Sequence, residues 1–211
     1  TTGANNTAIG KNALTANVGA GGYNVAVGCD AMCSNTTGDG NVGVGGGALR
    51  LNTTANSNTA LGTNALYSST TGSVAVAIGS GALNDMTTAA NNTAVGHSAG
   101  NVTTTGAGNT YIGKTAGSVG TTGANNTMLG YLAKNSGVDV DNEIMIGVNS
   151  IAKGANTGFI NANGGGNYAG NNNANWSTTS DRRIKKNIVD NNIGLEKIEK
   201  IQVKNFEYRT P

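Results

Sequence analysis

The sequence predicts an all-β protein, a β-solenoid of about nine 17-residue coils, and three observations carry that prediction. A short motif recurs at fixed spacing, the composition disfavours helix, and one apolar column runs unbroken through the repeats. The motif reads Asn-x-Ala-(Ile/Val/Leu)-Gly-x-x-Ala-Leu, and its glycine falls at Gly10, Gly28, Gly45, Gly62, Gly79, Gly96, Gly113, Gly130 and Gly147. After one step of 18 residues every step is 17. A fixed period is the signature of a stacked repeat architecture. Glycine (34), asparagine (33) and threonine (27) dominate, aromatics are 4% and charged residues 11%. All three abundant residues are penalised in helix interiors. The one proline is Pro211, and there is no Gly-X-Y period, which excludes collagen.

In chain order, the copies are NTAIGKNAL from Asn6, NVAVGCDAM from Asn24, NVGVGGGAL from Asn41, NTALGTNAL from Asn58 and AVAIGSGAL from Ala75. They continue as NTAVGHSAG from Asn92, NTYIGKTAG from Asn109, NTMLGYLAK from Asn126 and a weaker EIMIGVNSI from Glu143. Each unit offers a three-residue alternating strand such as Thr7-Ala8-Ile9, then a glycine, then a second short strand through Ala13-Leu14. Asn- and Gly-rich stretches supply the turns. The column Ile9, Val27, Val44, Leu61, Ile78, Val95, Ile112, Leu129, Ile146 is expected inside the coil. The preceding column is Ala or Gly through Ala94, then Tyr111, Met128 and Met145, and is expected where another chain approaches, with packing that widens towards the C-terminal end. A coil this thin has a poor ratio of volume to surface, so a parallel homotrimer is expected.

These coils resemble the left-handed β-roll heads of trimeric autotransporter adhesins and the repeat shafts of bacteriophage tail fibres, over about residues 5 to 153. The resemblance implies a left-handed β-roll and an extracellular or virion trimer that projects towards a cell surface. The chain divides into a repeat shaft (1–154), an Asn/Gly-rich connector (155–180) and a tail (181–211) of changed composition, with eight Lys/Arg and five Asp/Glu. The tail run Ser180-Asp181-Arg182-Arg183-Ile184-Lys185-Lys186-Asn187-Ile188, followed by Gly194-Leu195-Glu196-Lys197-Ile198, resembles the start of an intramolecular chaperone domain found on phage tail spikes, fibres and neck appendages. That resemblance implies an α+β segment that drives trimer assembly and is released by one self-cleavage at Ser180–Asp181. Ser180 would be the nucleophile and Lys185 its base, a pairing in keeping with the need of a hydroxyl for an adjacent base. The chain begins at Thr1 without Met or a signal sequence and is read as a segment of a longer protein.

No substrate-turnover enzyme is expected, since the repeats cluster no titratable groups. Cys29 and Cys33 lie in one coil without further ligands, so neither a metal nor another cofactor is expected. The Gly43–Gly47 run lacks the strand-to-helix context of a nucleotide loop. The column Thr7, Val25, Val42, Thr59, Thr93, Thr110, Thr127 is too mixed for an ice-binding array. The tail's bases are interleaved with acids, so no nucleic acid partner is expected, and no apolar run approaches the ~20 residues of a membrane span. The expected role is a virion attachment fibre that partners other virion tail proteins and a host cell-surface glycan or protein. Tyr23, Tyr67, His97 and Tyr131 break the small-residue pattern of the turns and are the candidate receptor contacts. The alternative is a bacterial surface adhesin, which predicts a membrane-anchoring barrel downstream.

Overall fold

The structure, a computed structural model, describes residues 5–17 and 21–161, and the backbone of two short strands at 166–169 and 177–178. Its main sheet holds β1 (Thr7–Ile9), β2 (Val25–Val27), β3 (Val42–Val44), β4 (Thr59–Leu61), β5 (Val76–Ile78), β6 (Thr93–Val95), β7 (Thr110–Ile112) and β8 (Thr127–Leu129). A two-residue strand, β9 (Ala133–Lys134), follows outside that sheet, and β10 (Ile144–Gly147) continues it. Each of these main-sheet strands pairs in parallel with the next, residue for residue with the motif: Ala26 faces Gly43, which faces Ala60, and so on to Met145. The protein is therefore a parallel β-solenoid of about nine coils, with no helix among the described residues.

β11 (Ser150–Ile151) pairs with β9 on a second, two-stranded sheet. The main stack then gains a further parallel rung, β12 (Gly158–Asn161), which sets Phe159 over Met145 and Ile160 over Ile146. That rung arrives after 14 residues instead of 17, which is why the glycine count loses it. Two antiparallel strands, β13 (Gly166–Ala169) and β14 (Ser177–Thr178), complete the sheet.

The face assignment of the strands is the reverse of the sequence expectation. The small column is the one inside: Ala26, Ala60, Ala77, Ala94, Tyr111, Met128 and Met145 are fully buried within one chain. The branched column faces outward, with Ile9 60%, Leu61 46%, Ile78 37%, Ile112 40% and Leu129 40% exposed. The reason is volume. The arm expected to be a second strand, as at Ala13-Leu14, is one only in the last two coils, at β9 and at Ser150–Ile151; before them it is a turn, in which Leu49, Leu66 and Leu83 take left-handed φ angles of 49° to 51°. That geometry tucks each Leu, together with the preceding Ala48, Ala65 and Ala82, into the interior. Where a Leu, or Met32 in coil 2, already fills the interior, only Ala or Gly fits opposite.

The same constraint explains the C-terminal coils, where packing does not widen. Where the strand column enlarges to Tyr111, the Leu column shrinks to Gly100 and Gly117, and a Cβ on either glycine would collide with the Tyr111 ring. The interior keeps its volume by moving bulk from one wall to the other. A smaller exchange occurs at Ala75, where the motif asparagine is missing. Buried Met86 brings its Cε to 3.1 Å from the place a Cβ on Gly72 would occupy, and Met86 and Ala75 belong to one apolar cluster.

Polar side chains bind the coils to one another. Asn24 accepts from Asn41 N (2.9 Å) and donates through Nδ2 to Gly38 O (2.8 Å). Asn41, Asn58, Asn109 and Asn126 each repeat both bonds one coil further on. This ladder of buried asparagines satisfies backbone groups that a narrow coil cannot pair in any other way. It ends at buried Glu143, whose carboxylate accepts from Ser136 N (3.2 Å) and Gly154 N (3.1 Å). A second ladder runs along Thr36, Thr53, Thr70, Thr87, Thr104 and Thr121, each hydroxyl donating to a carbonyl one coil on at 2.9–3.3 Å. The motif glycine fills a place with no room for a side chain: a Cβ on Gly28 would lie 2.6 Å from the backbone of Gly45.

Candidate functional site

Interest centres on the outer surface of the turn arm that follows each motif glycine. Two positions of that arm point inward and are buried, so the residues around them project to solvent. In coils 2 to 4 the period sets Cys33, Arg50 and Tyr67 one above another, and sets Asp30, Gly47 and Asn64 in a neighbouring column. Arg50 Nη1 donates to the Tyr67 hydroxyl, and its guanidinium lies 5.6 Å from the ring centroid. The Cys33 thiol donates to Arg50 O at 3.7 Å. Asn12 Nδ2 donates to Asp30 Oδ1 at 2.8 Å.

The electrostatics follow from these contacts. The hydrogen bond from Asn12 holds the Asp30 carboxyl below its usual range, against some desolvation and with help from the charge of Arg50. Arg50 is raised, chiefly by its bond to Tyr67. Coil 3 contributes no side chain between these groups, because it reads Gly45-Gly46-Gly47. A Cβ on Gly47 would meet the Asn64 amide, and the Tyr67 ring at 3.4 Å, so both lean over that coil. A Cβ on Gly46 would meet only Cys29 O, at 3.9 Å, so the strip above it is open. The result is a polar patch in which the Asn64 amide and the Tyr67 ring cover Gly47, Asp30 and Arg50 stand beside them, and Gly46 lies bare in the neighbouring column between Cys29 and Thr63.

The residues singled out from the sequence are not gathered into one site. Tyr67 belongs to this patch. His97 and Tyr131 share a different column, two coils apart, with Lys114 between them and its Nζ 6.0 Å from the Tyr131 ring. Tyr23, 68% exposed, sits at the turn before β2 with a left-handed φ of 56°. Ser180, Asp181 and Lys185 lie outside the described residues, as does the whole tail from 181 to 211. Cys29 and Cys33 are free thiols. Among the described residues, no three His, Cys, Asp or Glu side chains lie close enough to hold a metal ion.

Asp30 and Arg50 were not visible as site residues in the sequence, although the 17-residue period places Arg50 between Cys33 and Tyr67. Scans against protein-family models, curated proteins and solved structures found no match to this chain.

Proposed function

We propose that the chain is a structural and host-attachment segment of a virion fibre or tail appendage. It would act as a parallel homotrimer of left-handed β-roll shafts, with a C-terminal segment that assists trimer assembly and is released at Ser180–Asp181. The observation that carries this reading is the outward sheet face. From Ile9 to Ile160 ten successive rungs present a branched aliphatic residue, each half-buried or exposed, in a stripe about 43 Å long at ~4.8 Å per rung. The flanking column Thr7, Val25, Val42, Thr59, Val76, Thr93, Thr110, Thr127 is likewise uncharged.

A continuous apolar stripe of that length marks a contact surface. Copies of the same chain are the partner that fits it. A parallel, unstaggered copy sets each aliphatic residue against its own counterpart over all ten rungs. Three stripes converging on one axis would bury the face on every chain and relieve the poor volume of a single coil. Host attachment then falls to the exposed turn arms, which differ from coil to coil.

Light scattering on the Ser180→Ala chain, which keeps its tail, tests the assembly: the expected mass is three times the 20.9 kDa of one chain, and a stable monomer overturns it. Adsorption of labelled protein to bacterial cells tests attachment. Mass spectrometry tests release, with a fragment beginning at Asp181 expected, and lost in Ser180→Ala. An intact mass for the unaltered chain overturns that part.

A further inference from the structure

We propose that the joint between coil 5 (from Ala75) and coil 6 (from Asn92) is a seam, where the shaft opens more readily than at the joints on either side. Coils 1–5 and coils 6–9 then act as two blocks. The basis is a set of hydrogen bonds that the adjoining joints have and this one lacks. Asn58 closes the joint before it, accepting from Ala75 N and donating to Gly72 O, both at 2.9 Å. Asn92 closes the joint after it, accepting from Asn109 N and donating to Gly106 O, both at 2.8 Å. Between them Ala75 can make neither bond. Among the described residues, Asn92 N is thereby left without an acceptor and Ala89 O without a donor, although Asn92 is fully buried and Ala89 is 4% exposed.

A second support fails at the same level. In earlier coils the corner carbonyl takes another bond from a polar side chain: Asn35 Nδ2 donates to Gly38 O at 3.1 Å, Asn52 Nδ2 to Ala55 O at 3.3 Å and Ser69 Oγ to Gly72 O at 3.4 Å. The next residue of that column is Met86, whose thioether has no hydrogen to give. Its Sδ instead accepts from Asn92 Nδ2 at 3.5 Å. The outer ladder, in which Gly22 N, Asp39 N and Asn56 N donate to Asp39, Asn56 and Ser73, also stops here, because Ala90 follows. What still crosses the joint is the β5–β6 pairing, backbone bonds of the turn arm and the Thr87 hydroxyl, which donates to Thr104 O. A buried donor and acceptor without partners raise the energy of the closed joint, and opening to water satisfies both. In a stack of repeats, stability is a sum over coils and the interfaces between them, so a weak interface sets where one cooperative block ends.

Hydrogen exchange of the full chain, resolved to single amides by mass spectrometry with electron-transfer fragmentation, tests this. Leu66 N, Leu83 N and Gly100 N occupy the same turn position in coils 4, 5 and 6 and donate across successive joints to Ala82 O, Ala99 O and Ala116 O at 2.8–3.0 Å. They are matched reporters, and only Leu83 N crosses the seam. Its protection factor is expected to be lower than both others by about tenfold or more. The repair is Ala75→Asn together with Met86→Ser, which restores the arrangement of Asn58 and Ser69 one coil earlier. In that double variant the protection of Leu83 N should rise to the level of Leu66 N, while Leu66 N itself stays unchanged. Leu83 N as well protected as its two counterparts in the unaltered chain overturns the proposal. So does a folded double variant in which the dip at Leu83 N persists. Should the double variant fail to fold, the three amides of the unaltered chain decide the matter. Attachment to cells and the assembly state enter neither comparison, so the seam stands or falls apart from them.

Discussion

The Tyr111 ring occupies the space that a side chain on Gly117, in the turn arm of the same coil, would fill. In the coils of Ala60 and Ala77 that arm position is Leu (Leu66 and Leu83) and the strand position is Ala, so the pair is a size exchange across the interior. Tyr111→Ala should leave a large cavity and cost about 3–5 kcal/mol in urea unfolding. Adding Gly117→Leu should recover part of the loss, because Leu66 and Leu83 show that Leu tolerates the left-handed φ of this position. Gly117→Leu alone should destabilise. Additive single and double losses would show that the two sites are uncoupled.

Alkaline titration tests the same residue. Burial pushes the Tyr111 phenol up to about 12, against a smaller opposing contribution from the Thr103 hydroxyl. Thr103 gives its hydrogen to Gly120 O, and the Tyr111 oxygen has no hydrogen-bond partner. The folded value is raised, so the stabilisation is complete below the unfolded value near 10 and is lost as pH rises from 10 through 12. The loss is on the order of 2–3 kcal/mol. Tyr111→Phe should remove the pH dependence in that window, measured by denaturation at pH 9, 11 and 12.

The asparagine ladder predicts a different kind of loss. Asn109→Ala deprives buried Asn126 N of its acceptor and Gly123 O of its donor. The expected cost is about 1–3 kcal/mol for each orphaned group. A change below 0.5 kcal/mol would mean that the ladder is ornamental. Serine is too short to span both partners and should rescue little.

Val74 is an exposed β-branched residue held at φ 59°. Asparagine occupies the same turn position at Asn91, Asn125 and Asn142, with similar angles. Left-handed backbone costs a β-branched residue roughly 1–2 kcal/mol, and asparagine less. Val74→Asn should therefore raise the melting temperature, and a fall would contradict the strain argument.

Ile78→Asp, on the outward face of β5, should leave the fold of one coil intact but lower the assembly to a smaller species by light scattering. Ala77→Asp, on the inward face of the same strand, should instead prevent folding, because it buries a charge. If both variants behave alike, the face assignment is wrong.

The period, the strand positions and the coil count could be read from the motif glycines alone. The direction in which each strand faces could not. Alternation in Thr7-Ala8-Ile9 says that Ala8 and Ile9 face opposite ways, but which way is inward depends on how much volume the rest of the coil brings. That volume comes from Leu residues in a turn conformation they rarely adopt, so the sequence of the arm reads as a strand. The rung at Phe159 escaped because its coil is three residues shorter. The patch around Arg50 escaped because Asp30, Arg50 and Tyr67 come together only across coils.

The spacing of the rungs has one last consequence. Seventeen residues could span about 56–61 Å if fully extended, yet each coil lengthens the stack by only ~4.8 Å. Chain is thus converted into girth and cross-linking rather than reach, and bending would have to strain hydrogen bonds of several ladders at once. Such a shaft is a strut: it fixes the distance and angle at which its surface groups are presented, where a flexible tether of the same length would let them wander.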